Sequence, residues 1–148
     1  VMAMLRLSTH ASDGKANLHQ GAIGVRLDLA SGRCIHAVQH SRRVHSHPDT
    51  GVDLNRIAIP DWQNLLTLAA RCHDLTGLGY LGADIVVDRN RGPLMLELNA
   101  RPGLAIQIAN GKGLLPRLQW IEAQENIPDS AEARAGMAMA EFGETIQK

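Results

Sequence analysis

Two strand-like runs on either side of a turn-rich stretch constrain the fold of this 148-residue chain more than any other feature. Tyr80 to Val87 and Leu94 to Asn99 are rich in Val, Ile and Leu, and they flank the sequence DRNRGP. Branched apolar runs bounded by Asp, Asn, Gly and Pro are typical of strands joined by a turn. The segment therefore predicts a β-hairpin.

The expected register of this hairpin gathers polar residues on one face. If the strands pair about a turn at residues 90 and 91, Asp84 lies opposite Glu97, and Asn99 lies on the same face. Opposed like charges destabilise a sheet unless a cation lies between them. Oxygen ligands of these types suit Mg²⁺, which also takes phosphate oxygens and water. The alternative is a solvated face with scattered acids. The other face would bury Ile85, Val87, Leu94, Leu96 and Leu98.

The first third of the chain predicts further strands. Val1 to Leu7 is a short apolar run typical of a buried strand. Two runs of β-forming residues around a Ser-Gly turn, Ala22–Leu29 and Cys34–His40, predict a second hairpin. The polar stretch 42–60, which contains Pro and Gly, predicts a connecting loop.

Helical patterns dominate the remainder. Apolar residues at helical spacing predict a helix over about 61–76, with Pro before it and Gly after it. Shorter helices are expected at 104–109 and 114–124. After Pro128 the pattern predicts an alanine-rich helix or a frayed tail, with a weak apolar stripe formed by Ala135, Met139, Phe142 and Ile146.

Composition excludes several classes of protein. Lys and Arg total 15 and Asp and Glu total 15, so the net charge gives no reason to expect a nucleic-acid partner or an anionic membrane. No run reaches the roughly 18 apolar residues of a membrane span, and no signal-peptide pattern opens the chain. We therefore expect a soluble, cytoplasmic protein without a nucleic-acid or membrane partner.

Cysteine and histidine patterns do not predict a metal site. Cys34 and Cys72 lack the spacing of a zinc site or a disulfide framework, so we interpret them as buried thiols. Four histidines span a strand end and the loop after it, without spacing that would bring them together on a metal. They are His36, His40, His45 and His47.

The chain opens inside an apolar run, VMAMLRL, without a polar lead-in. A native N-terminus tends to be loosely held, whereas this one begins in a predicted strand. We therefore expect the chain to be the C-terminal part of a longer protein whose N-terminal half is missing. Exposed apolar surface on this strand would favour self-association into an oligomer.

Two separated motifs resemble one known family. GADIVVD, a Gly-Pro hairpin and ELNARPG are similar to the metal-binding end of ATP-grasp enzymes, most closely the RimK-like α-L-glutamate ligase-related branch. ANLHQGA, residues 16–22, resembles the N-L-H-x-G element of that branch, and the likeness covers about residues 1–122. It implies an α+β fold, the C-terminal subdomain of an ATP-grasp domain, with a mostly antiparallel sheet covered by helices. Residues 1–125 would form this part, and 126–148 a C-terminal helix or flexible tail.

The resemblance also implies roles for individual residues. Asp84, Glu97 and Asn99 would be Mg²⁺ ligands that bridge to the phosphates of ATP, with Mn²⁺ as the alternative ion. Asn17 and Lys15 fall where relatives have an amide and a cation near the transferring phosphate or the acceptor. Relatives usually have Arg in place of Lys15, so bidentate geometry is lost and the charge is kept.

Two further residues have both a functional and a structural interpretation. Arg101, where the RimK enzymes have a small residue, could hold an anionic substrate or developing phosphate charge, or it is a surface arginine. His19 lies in a polar loop and either contacts substrate or is structural.

The chemistry that the resemblance implies is ATP-dependent ligation. ATP phosphorylates a carboxylate, and an amine then attacks the acyl phosphate to give an amide, ADP and phosphate. The expected partners are ATP and amino-acid or peptide substrates that supply the carboxylate and the amine. The alternative function is a catalytically inactive module, derived from the same fold, that binds a nucleotide or a protein partner.

Overall fold

The computed structural model describes residues 1–144, which form an α+β structure in which paired strands run antiparallel. The strands form a four-stranded sheet in chain order and a separate two-stranded sheet. The predicted fold class is confirmed, with the strands divided between two sheets. The elements are β1 (Met4–Leu7), β2 (Ile23–Leu27), β3 (Cys34–Gln39), β4 (Arg42–Arg43), α1 (Trp62–Thr76), β5 (Gly82–Asp88), β6 (Gly92–Asn99), α2 (Ala105–Asn110), α3 (Leu115–Glu122) and α4 (Ala131–Phe142).

The core of the molecule is built around β2, between β1 and β3. Ile23 and Val25 of this strand are fully buried. Leu54, Trp62 and Phe142, which come from three other parts of the chain, pack into the same apolar cluster. Burial of a large apolar side chain contributes about 1.5–3 kcal/mol, so this cluster is the main source of stability for the four-stranded sheet.

The predicted hairpin of β2 and β3 is confirmed, and its turn packs against the start of α1. Gly32 has φ +68°, and a Cβ there would lie 2.7 Å from Cγ of Trp62. Trp62 is buried and donates a hydrogen bond from Nε1 to the carbonyl of Leu29 at 2.9 Å. Only glycine gives both the left-handed backbone and the room for the indole, so this contact fixes the turn to α1.

Asp28 is a buried carboxylate between β2 and this turn, 2% exposed. It accepts hydrogen bonds from the backbone N–H of Ala30 at 3.2 Å, from Oγ of Ser31 at 2.5 Å and from the N–H of Glu144 at 2.8 Å. Burial raises the pKa of this carboxyl, but the hydrogen bonds from Ser31, Glu144 and Ala30 together outweigh it. The pKa of Asp28 is therefore held below its usual value.

Asp28→Asn should lower the free energy of unfolding at pH 7 by about 1–3 kcal/mol, because hydrogen bonds to a charged carboxylate are replaced by hydrogen bonds to a neutral amide. Because the native pKa of Asp28 lies below the unfolded one, its stabilisation is present above about pH 4 and is lost as the pH falls through the native pKa. In urea unfolding, the difference in free energy of unfolding between the variant and the wild type should shrink below pH 4. A difference unchanged down to pH 2.5 would contradict this. Asp13→Asn, whose side chain is 92% exposed, is the matched control.

The stretch 42–60 was predicted as a connecting loop, but it contains a short strand and a 3₁₀ turn. Its first two residues form β4, which pairs with the end of β3. A 3₁₀ turn follows at Leu54–Arg56, where the Asp53 carboxylate accepts a hydrogen bond from the N–H of Asn55 at 3.0 Å. The prediction missed both elements because two-residue strands and single turns have no periodic pattern to detect.

The helix predicted over about 61–76 is confirmed as α1, which has 15 residues. None of the helices within residues 1–144 has the length and apolar content that a membrane crossing requires.

The alanine-rich segment after Pro128 forms α4, which packs against α1. Ala135 and Phe142 of the predicted apolar stripe are buried, and Ile146 lies outside the described residues. Two ion pairs join the helices: Arg134 with Asp74 at 2.5 Å, and Arg71 with Glu132 at 2.7 Å.

The hairpin of β5 and β6 follows the predicted register at its open end only. Asp84 lies opposite Glu97, as predicted. A bulge between Asp84 and Ile85 then shifts the register by one residue, so Ile85 lies opposite Met95 and Leu96 falls between paired positions. A bulge puts two residues of one strand against one of its partner.

This bulge overturns part of the predicted apolar face. Leu96 and Val87 were both expected to be buried, but Leu96 is 65% exposed and Val87, near the turn, is 44% exposed. Leu94 lies opposite Val86 and therefore shares a face with Asp84, because a one-residue shift moves side chains to the other face. Leu98, on the open-end side of the bulge, keeps its predicted place on the opposite face.

Candidate functional site

Three residues proposed as metal ligands lie at the open end of the β5–β6 hairpin. Asp84 is opposite Glu97, and the side chain of Asp84 is 39% exposed. Glu97 is exposed. Asn99 lies two residues beyond Glu97 on the same strand, opposite Gly82, and strand periodicity gives it the same face. Two carboxylates and one amide are thus gathered where solvent and a ligand can reach them.

The donor set fits Mg²⁺ shared with a nucleotide better than a metal held by protein alone. Within residues 1–144, no three His, Cys, Asp or Glu side chains form a group that could hold a metal ion. The hairpin offers two carboxylates and an amide oxygen. Mg²⁺ usually binds through one or two carboxylates and completes its shell with water and substrate phosphates.

Sequence reasoning missed a cation at this site. Nη2 of Arg6, in β1, lies 3.2 Å from Oδ1 of Asp84, and the Arg6 side chain is 40% exposed. The pair joins the four-stranded sheet to the two-stranded one. Its signal was slight: Arg6 is the one charged residue in the run VMAMLRL. Nothing local in the sequence says which distant carboxylate such a residue will meet.

The loop after β6 folds back over the same end of the hairpin. A Cβ at Gly82 would lie 2.6 Å from Cβ of Pro102. Only glycine permits this approach, so Gly82 sets the path of the ARPG loop. Arg101, which precedes Pro102, is exposed. The contact holds Arg101 in the loop at the open end of the hairpin, where Asn99 ends β6.

The N-L-H segment forms a 3₁₀ turn, Leu18–Gln20. The carboxamide oxygen of Asn17 accepts a hydrogen bond from the N–H of His19 at 3.0 Å, which caps this turn. Lys15 is exposed, and its Nζ lies 3.6 Å from Oδ2 of Asp13. Within residues 1–144, the hydrogen bonds and ion pairs of Asn17 and Lys15 are local, and neither contacts the hairpin carboxylates.

A glycine brings the two motifs together in space. A Cβ at Gly24 of β2 would lie 2.8 Å from Cδ2 of Leu18 and 2.9 Å from Cβ of Ala109. The N-L-H segment and α2, which follows ELNARPG, therefore pack side by side on β2. His19 is exposed and lines a cavity of about 250 Å³ between these segments.

The four histidines considered in the sequence lie in different surroundings. Nδ1 of His36 is 3.3 Å from the carbonyl of Ala109, and Nε2 of His47 is 3.0 Å from the carbonyl of Ser8. His40 lines the cavity beside His19. His45 is exposed.

Comparison with known proteins gives one finding. A family model described as sugar-transfer associated ATP-grasp matches residues 1–123, which include the N-L-H segment and the hairpin of β5 and β6. No curated protein and no solved structure matches the chain. The helix α4 lies beyond the matched residues.

Proposed function

The chain belongs to the sugar-transfer associated ATP-grasp family, and on this premise we propose that it carries the metal end of a Mg·ATP-dependent ligase that joins a carboxylate to an amine. The observation that supports this most is the pairing of Asp84 with Glu97 beside Asn99. Two carboxylates opposed on a sheet are destabilising on their own. Arg6 offsets part of this repulsion at Asp84, and the proposal adds a metal cation shared by Asp84 and Glu97.

Asp84, Glu97 and Asn99 are the residues that would hold Mg²⁺, with Mn²⁺ as the alternative ion. When bound, the ion neutralises phosphate charge and orients the phosphates for transfer. The half-exposed position of Asp84 and the exposed position of Glu97 leave room for a nucleotide to complete the shell.

In the proposed reaction, a carboxylate oxygen attacks the γ-phosphorus of ATP, the bond to the bridging oxygen breaks, and ADP leaves. An amine then attacks the carbonyl of the acyl phosphate, phosphate leaves, and the amine loses a proton to give the amide. Little covalent work falls to the protein, because positioning and charge neutralisation supply most of the acceleration.

Cationic and polar residues near the motifs have proposed roles in this reaction. Arg101, exposed in the loop beside the hairpin, would hold the anionic substrate or the transferring phosphoryl group. Lys15, with its weak exposed pair to Asp13, is free to turn toward phosphate. Asn17 and His19 would contact the nucleotide or substrate. The family match supports the ATP-grasp fold and not the RimK-like branch in particular. The resemblance of the two motifs to that branch is what suggests glutamate or a similar amino acid as the substrate.

The competing candidate is an inactive nucleotide- or partner-binding module. The local contact of Asn17 favours it, because the Asn17 side chain caps its own loop at His19 and does not point to a partner elsewhere in residues 1–144. The two functions separate in an assay of ADP release with Mg·ATP and a mixture of amino acids. Amino-acid-dependent release supports the ligase, and nucleotide binding without release supports the module.

Arg6→Gln should raise the affinity of the protein for Mn²⁺ in the absence of nucleotide. The ion pair with Asp84 competes for the same carboxylate. Half-exposed pairs contribute about 0.2–1 kcal/mol, so the expected gain is at most about fivefold. The free Mn²⁺ signal in electron paramagnetic resonance measures it.

Arg91→Gln is the matched control for the Arg6 variant. It removes the same charge at the turn of the hairpin, about 13 Å or more along the strand from Asp84, which exceeds a Debye length at physiological salt. Equal effects of the two variants on Mn²⁺ affinity would show a general charge effect and no competition at Asp84.

A further inference from the structure

The cavity beside His19 has the make-up of a small ligand site. It lies between the N-L-H turn, the turn that joins β3 to β4, and α2. Polar groups of His19, His40 and Ser41 border it, while Leu18, Val38 and Ile108 supply apolar surface. Ligand sites typically combine an apolar lining with a few convergent polar groups.

The turn that supplies His40 and Ser41 is held in an unfavourable backbone conformation. Both residues have left-handed φ values, 48° and 61°. Two-residue hairpin turns with two positive φ values strongly prefer Asn and Gly. Here a histidine and a serine take these positions. Strained residues of this kind persist where the surrounding structure fixes them, and they are concentrated at ligand sites.

Contacts from the N-L-H-Q-G segment fix the position of His40. A Cβ at Gly21 would lie 3.1 Å from Cε1 of His40, so the ring packs directly on this glycine. Nε2 of Gln39 also donates to the carbonyl of Gly21 at 2.8 Å. The strained turn is thus tied to the segment that also supplies His19.

We propose that this cavity binds the small carboxylic acid on which the ligase acts, with the carboxylate at His40 and Ser41 and the aliphatic part against Leu18 and Ile108. The proposal deepens the proposed function and rests on it. Imidazole N–H and serine O–H groups donate hydrogen bonds to a carboxylate. No acidic side chain among residues 1–144 lines the cavity, so nothing in its described lining repels an anion.

Size and lining favour this ligand class over others. A volume of about 250 Å³ lies just below the range of roughly 300–1,000 Å³ for drug-sized ligands, so it has room for a small acid. Inorganic phosphate would leave the apolar wall without a partner. A small aliphatic acid satisfies both the polar rim and the apolar wall.

Butyrate and n-butylamine are suitable probes, because they share an aliphatic chain and differ in the head group. In ¹H–¹⁵N spectra of the protein, butyrate should shift the amide signals of Ala22, His40 and Ser41 saturably, and butylamine should not. His40→Asn keeps a residue that tolerates the left-handed turn and removes the ring. It should weaken butyrate binding by about tenfold, whereas His45→Asn, at an exposed position outside the cavity, should not change it.

A second variant tests the cavity without changing the turn, in case His40→Asn misfolds it. Ala105→Met, at the first residue of α2, places a longer side chain in the cavity and should also abolish the butyrate shifts. Shifts that persist in both variants, equal shifts with butylamine, or shifts absent from the wild type would overturn the proposal. Binding of Mg·ATP is measured separately in the same samples. If the wild-type protein shows the butyrate shifts but does not bind Mg·ATP, the ligase function is rejected and the ligand site is not. If it binds Mg·ATP but shows no butyrate shifts, the ligand site is rejected and the ligase function is not.

Discussion

Glu97→Gln should lower Mg²⁺-dependent ADP release by at least about 100-fold in the intact protein without lowering its melting temperature. The substitution keeps the size of the side chain and removes one of two paired negative charges. Loss of a single preorganised electrostatic group commonly costs 10²–10³-fold in rate. Because Glu97 is exposed, no buried hydrogen bond is lost and the fold should persist.

The control for this variant is Glu122→Gln, an exposed glutamate at the end of α3. It changes the same charge away from the hairpin and should leave ADP release unaltered. Wild-type turnover in Glu97→Gln would remove Glu97 from the proposed metal set. A lowered melting temperature in that variant would indicate a structural role for Glu97 instead.

The pairing of Asp84 with Glu97 could be predicted because the turn sequence and strand periodicity are local. The bulge beside it could not. In strands that are half exposed on both faces, the apolar pattern specifies the register weakly, and Leu96 carries no sequence mark of its exposure. Prediction therefore succeeded for the carboxylates near the open end and failed for the leucines beyond the bulge.

Long-range contacts account for what else the sequence did not reveal. Arg6 meets Asp84 across two sheets, and His40 packs on Gly21 through a strained turn. Neither contact follows from spacing, because each depends on how separate segments dock. Gly21 is visible in the sequence, but the His40 ring that packs on it is not.

Gly32 and Trp62 show the same difference between local features, which the sequence predicts, and long-range contacts, which it does not. The Ser-Gly turn and the helix that begins near residue 61 are both predictable from local signals. Their contact is not, although it fixes the hairpin of β2 and β3 against α1. The requirement for glycine at position 32 thus has two causes: the positive φ of the turn, visible in the sequence, and the indole beside it, visible only in the fold.

Trp62→Ala should destabilise the protein by about 3–5 kcal/mol, the range for removal of a large aromatic side chain from a core. The indole is 8% exposed, belongs to the central apolar cluster and bonds the carbonyl of Leu29. Its loss would open a cavity under the β2–β3 turn and leave that carbonyl without its donor. Urea unfolding followed by far-ultraviolet circular dichroism measures the change, with little expected change in the slope of the transition.

Two variants separate packing from the hydrogen bond in this contact. Trp62→Phe keeps an aromatic ring but has no Nε1. It should lower the free energy of unfolding by less than Trp62→Ala does. Leu75→Ala, on the same helix and 82% exposed, should change stability by no more than about 0.5 kcal/mol. A loss below 1 kcal/mol in Trp62→Ala would mean that the turn relaxes onto α1 without the indole. In that case the contact between the Trp62 indole and Gly32 would not be what holds the β2–β3 hairpin against α1.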